Sequence, residues 1–165
     1  MTIISLFIRE LEEESLTTRK MLSRIPTDKL DWQPHPKSMV LRSLAVHIAE
    51  LPTWITMAFN TDGLDFATSP YSPPAANSTE DILAVFEKSL MDGRSQLLEE
   101  NASRLGDQWT LRHADTILWQ ADRWGMVRMS LSQIVHHRAQ LGVYLRLLDV
   151  PIPGSYGPSA DEQSF

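Results

Sequence analysis

With 165 residues the chain is long enough to bury a sizeable core as a single domain over 1–165, and a hydrophobic fraction of 42% with 5 tryptophans argues against disorder. Against 21 acidic side chains stand 15 basic ones, giving a net charge of −6 with no basic run, so nucleic acid is not an expected partner. There is no cysteine, which removes disulfides, thiolate metal ligands and a cysteine nucleophile together; any thiol chemistry must use a thiol brought in from outside.

The first apolar run, Met1 to Ile8, is too short to span a bilayer and has no basic leading segment, so a cytoplasmic, unprocessed protein with no membrane partner is expected. From Ile3 to Ile25, the residues Ile4, Phe7, Leu11, Thr18, Leu22 and Ile25 recur at helical spacing, and Pro26 closes this first helix. Thr27 to Leu30 can add a short turn. The two prolines of Asp31 to Ser38 make an extended connection, with Ser38 as the cap of the next helix.

A second helix is expected over 39–60, with Val40, Leu44, His47, Leu51, Trp54 and Ala58 on one face and a bend at Pro52. Thr61 to Asn77, with its prolines, reads as a long loop. Ser78 and Asp81 start a third helix carrying Ile82, Val85, Phe86, Leu90 and Leu97 to about Arg104, weakened locally at Gly93. Within 106–122, Trp109 to Leu111 and Thr116 to Trp119 can form a small hairpin or an irregular lid. A fourth helix runs from about Arg123 and ends before Pro151, with Val127, Leu131, Ile134, Arg138, Leu141 and Leu145 on its stripe. The tail from Pro151 to Glu162 is an irregular strap. These elements predict an all-α fold, a four-helix bundle with long connections that departs from plain up-down-up-down order.

Two places carry chemistry. Gln133 and His137 lie four residues apart on the fourth helix and so share a face, with His136 beside them. His47 stands roughly 14 Å from the start of helix two, and His137 roughly 17 Å from the end of helix four, at about 1.5 Å per residue. If those helices are antiparallel neighbours the two histidines are level, and His47, Gln133 and His137 form a metal-ligand set with a position left for water or substrate. A histidine in an apolar stripe is equally an ordinary buried side chain satisfied by hydrogen bonds, and the pattern alone leaves both readings open. His35 and His113 read as surface residues. Arg138 is expected to pair with an acid such as Glu50, or to reach solvent along its stem; Glu50, one turn from His47, is also a candidate orienter of that imidazole.

Asp31 to Met39, Leu44 to Leu51 with Trp54, His136 to Gln140, Tyr144 to Leu148 and Pro151 to Pro158, in that order, resemble the DinB-like (DinB/YfiT-like) family of metal-dependent proteins over nearly the whole chain. The resemblance implies a four-helix bundle of up-down-down-up topology, often a homodimer. It also implies a divalent metal, nickel or zinc, held by one histidine of helix two and two histidines four apart on helix four. His47 and His137 match; Gln133 stands where the middle histidine is usual, and its neutral amide oxygen is the weaker donor. His136 points about 100° away around the helix and does not simply replace it. The resemblance further implies a thiol-dependent S-transferase or hydrolase acting on a small electrophile, with a low-molecular-weight thiol as cofactor. The alternative is a non-catalytic dimeric bundle that binds metal or a small ligand at a degenerate site.

Overall fold

Residues 1–163 are described by a computed structural model. Helix α1 (Ile3–Leu22) is started by Thr2, whose hydroxyl accepts from the Ser5 amide while the Ser5 hydroxyl accepts from the Thr2 amide. It buries the expected stripe, Thr18 included, because the Thr18 hydroxyl donates to the Glu14 carbonyl one turn back. The helix ends three residues earlier than the stripe suggested, and Ile25 packs into the core from the turn beyond it.

The helix expected over 39–60 is two helices, α2 (Leu41–Glu50) and α3 (Thr53–Asn60). Pro52 has no N–H to donate, so the hydrogen-bond ladder is interrupted there as expected, while Leu51 and Pro52 keep helical backbone angles. Ser130, fully buried on the facing helix, closes the break by donating its hydroxyl to the Leu51 carbonyl at 2.8 Å. Ser38 does not cap α2. The cap position is Val40, which offers no side-chain hydrogen bond.

Helix α4 (Thr79–Ser95) is capped by Ser78 as expected, but stops at Ser95; residues 99–104 form a separate 3-10 turn. Gly93 has a packing reason. A Cβ there would lie 2.2 Å from the Pro52 carbonyl oxygen, so the absent side chain is what lets α4 approach the broken helix.

The expectation of an all-α, up-down-down-up four-helix bundle is corrected by a three-stranded mixed sheet. Strands β2 (Gln108–His113) and β3 (Thr116–Asp122) form the antiparallel hairpin foreseen as one option for this stretch, and β1 (Gly63–Asp65) adds parallel to β2. The strand inside the long loop is too short for any periodicity to announce it. Non-local groups hold it: Gly63 lets the backbone close on Thr110, and the Asp65 carboxylate accepts from the amides of Ala67 and Ala114 at 2.9 and 3.0 Å. The second of these pins the hairpin turn, where Ala114 has a φ of 49°.

Helix α5 (Arg123–Leu147) starts from an Asp122 cap and buries Val127, Leu131, Ile134, Arg138, Leu141 and Leu145. Its end is a Schellman turn: the amides of Asp149 and Val150 reach back to the carbonyls of Arg146 and Leu145, with Asp149 at φ 57° in the place usually given to glycine. Both α4 and α5 pack against α1 on one side and against α2 and α3 on the other. One core cluster gathers around Leu22, Leu44, Ile48, Phe86 and Leu141. The second gathers around Phe7, Leu11, Phe59, Trp109 and Leu131, where the sheet joins the helices. Residues 151–163 form the expected irregular strap, held by Arg146 to Asp161 and by Arg24 to Glu162 at 2.6 Å.

Candidate metal centre between α2 and α5

The Ser130 to Leu51 hydrogen bond fixes α5 against the end of α2, and His137 follows two turns after Ser130 on α5. The His47 and His137 rings lie 4.7 Å apart between centroids and are inclined at 77°. Two imidazoles sharing one ion at about 2.0–2.1 Å per nitrogen have ring centres roughly 4.5–5.2 Å apart, so this spacing suits a common ligand. Trp54 closes one side of His47, edge to ring at 5.7 Å.

Each ring is held through Nδ1. His47 Nδ1 is 3.1 Å from Glu50 Oε1, and His137 Nδ1 is 2.7 Å from the amide oxygen of Gln140. With the Glu50 and Gln140 oxygens as acceptors, each Nδ1 donates its proton and each Nε2 keeps a lone pair. This is the tautomer a metal-binding imidazole needs. Burial pushes the His137 pKa below its ordinary value, and nearby His47 and His136 push the same way against the Gln140 hydrogen bond.

Gln133 is half-buried one turn before His137 on the same helix. Its amide oxygen would be a neutral donor, weaker than imidazole. Among the described residues no group of three or more His, Asp or Glu side chains is arranged to hold a metal ion. The juxtaposed donors are the two imidazoles of His47 and His137, a set that would hold an ion more loosely than three histidines would. His136 is exposed with its ring 4.8 Å from that of His137, and His35 and His113 are exposed as expected.

The expected pairing of Arg138 with Glu50 is not formed. Arg138 is buried and reaches Glu14 Oε2 at 2.6 Å, the Thr18 hydroxyl at 3.0 Å and the Tyr156 hydroxyl at 2.9 Å, tying the strap to α1 and α5. Glu50 instead serves His47, the other role foreseen for it. Tyr71, from the loop after β1, also donates to Glu50 Oε1, at 2.5 Å. Nothing in its sequence context marked it, since an aromatic residue between prolines in a long loop has no periodicity to place it.

The model of the DinB family matches residues 2–164. The chain belongs to the DinB family. It is 28% identical over 160 residues to the uncharacterized protein YrdA of Bacillus subtilis (strain 168), covering 94% of this chain and 89% of that one. In fold it resembles a DinB-like protein of Bacillus cereus ATCC 10987, with a TM-score of 0.68 at 20% identity, covering 91% of this chain and 95% of the other. A DinB family protein of Exiguobacterium sibiricum 255-15 matches with a TM-score of 0.68 at 21% identity over 90% of this chain and 94% of that one. A Bacillus subtilis DinB-like protein matches with a TM-score of 0.67 at 13% identity over 96% and 99%. No helix among the described residues of this DinB-family chain is long and apolar enough to cross a membrane.

Proposed function

We infer that this DinB-family protein binds a divalent ion, nickel or zinc, through His47 and His137 with Gln133 as the weaker third donor, and uses it to act on a small electrophile with an external thiol or water. The observation that carries this reading is the pair of imidazoles with ring centres 4.7 Å apart and each Nδ1 engaged by its own partner, so that Nε2 is the nitrogen left to a ligand. A bound ion would supply Lewis acidity, lowering the pKa of a thiol or water ligand. The chain's own residues do the positioning: Glu50 and Gln140 set the imidazole tautomers, and Trp54 shields His47. An external thiol accords with the absence of cysteine from the chain.

Calorimetric titration of tag-free protein with Ni²⁺ and Zn²⁺ tests the metal. The expected result is one site per chain whose affinity falls at least ~10-fold in His47→Ala and in His137→Ala. Wild type that binds neither ion, or variants that bind as wild type does, would overturn the reading. The amide at Gln133 favours a second reading, a site that holds metal or a small ligand without turnover. Thiol transfer to a small electrophile by wild type, lost in His137→Ala, rules that second reading out.

A further inference from the structure

The loop after β1 is anchored at both ends. Thr68 and Ser69 donate to the Asp65 carbonyl, and Ala76, 3% exposed, sits in the core with its carbonyl accepting from Arg42. Residues 70–75 between them are exposed, and among the described residues they make one hydrogen bond, from the Tyr71 hydroxyl to Glu50 Oε1. That same oxygen is the partner of His47 Nδ1, and no other described side chain donates to Glu50.

We propose that Tyr71 is a positioning residue of the His47 site, fixing the Glu50 carboxylate so that it holds the His47 Nδ1 proton and presents Nε2 to a ligand. The inference rests on the metal reading above for its consequence, though not for its geometry. The Glu50 side chain is only 12% exposed, and its described hydrogen-bond partners are His47 and Tyr71, so without the tyrosine hydroxyl the imidazole alone fixes the carboxylate. The loop is thereby coupled to the site: when residues 70–75 lift, Tyr71 leaves Glu50, and His47 loses its preset tautomer. Coupling is reciprocal, so a ligand on Nε2, which needs the Nδ1–H tautomer that the closed loop favours, in turn favours the loop closed.

Tyr71→Phe removes the hydroxyl and keeps the ring; at an exposed position it leaves folding intact. Two measurements separate the claims. Ring ¹⁵N shifts of His47 in metal-free protein report the tautomer, and chelator competition with Ni²⁺ reports affinity. Wild type should show the Nδ1–H form, Tyr71→Phe a mixture of tautomers with affinity about 10-fold weaker and an unchanged melting temperature. Glu50→Gln should shift the tautomer likewise, with the double variant no worse than Glu50→Gln alone, because Tyr71 acts through Glu50. A wild-type tautomer and wild-type affinity in Tyr71→Phe would overturn the proposal and leave the metal site standing. A tautomer shift in protein that takes up no Ni²⁺ would support Tyr71 and sink the metal reading.

Discussion

At the scale of single residues, the centre depends on which atoms of each side chain are already occupied. His47 and His137 would be unremarkable half-buried histidines if their Nδ1 atoms faced solvent. Engaged by Glu50 and Gln140, they leave defined lone pairs, and the remaining weakness is Gln133. Replacing Gln133 with histidine puts a second imidazole one turn from the first on α5. Nickel affinity measured by calorimetry should rise at least ~10-fold, since imidazole outranks an amide oxygen as a donor to this ion. Unchanged affinity would mean that Gln133 does not face the ion. Arg138 shows the opposite use of a buried polar group. Its guanidinium is engaged by Glu14, Thr18 and Tyr156, so it docks the strap onto α1.

At the scale of elements, two breaks in regularity set the geometry. Glycine in a helix interior costs about 1 kcal/mol relative to alanine, so Gly93→Ala would stabilise α4 on propensity alone. The Cβ, however, would meet a backbone carbonyl at 2.2 Å, and backbone cannot rotate aside. Overpacking of this kind costs about 1–3 kcal/mol, which outweighs the propensity gain, so urea denaturation should show net destabilisation. The sheet has its own switch in Asp65. The amides of Ala67 and Ala114, and to a lesser degree Arg112, hold its carboxyl below the ordinary value of 3.8, against the opposing effect of burial. A carboxyl lowered by folding contributes stability above its unfolded value, and that contribution is lost as pH falls through the folded one. The Ala114 amide shift should therefore titrate with a midpoint below 3.8, and Asp65→Asn should abolish the transition. A midpoint at or above 3.8 would show that the carboxylate does not hold the hairpin turn.

At the scale of the whole molecule, the centre joins α2 to α5, two elements far apart in sequence. An ion bound there contacts the folded chain and has no equivalent set in the unfolded one. At an ion concentration 100-fold above Kd the linkage stabilises by about 2.7 kcal/mol. For a chain of this size that raises Tm by roughly 5–10 °C. Thermal melts should show the shift with Ni²⁺, its reversal by chelator, and its absence in His47→Ala. A shift that survives His47→Ala would place the ion elsewhere. Arg123 plays a comparable joining role at the other end. Its buried guanidinium takes the carbonyls of Ala58 and Thr61 and pairs with Asp62 at 2.6 Å, so the end of α3, the approach to β1 and the start of α5 share one charge.

The helices were legible in the sequence because an amphipathic helix carries its own period. The stripes of α1, α4 and α5, the Ser78 cap, the stop before Pro151 and the family itself could all be read from residues within a few turns of one another. The i, i+4 placement of Gln133 and His137 was legible for the same reason. The interruption at Pro52 was legible too, but the sheet as a whole was not. Distant partners decide what packs on that interruption, Ser130 and Gly93, and hold β1 and its turn, Thr110 and Ala114. Arg138 could be seen to need an acid, but Glu14 and Glu50 were both available, and only packing chose between them. Glu50, one turn from His47 on α2, could be read as its partner, but His47 facing His137 and Tyr71 reaching Glu50 were decided by tertiary structure, because a side chain's partner across two elements is set by how those elements dock and not by their own periodicity.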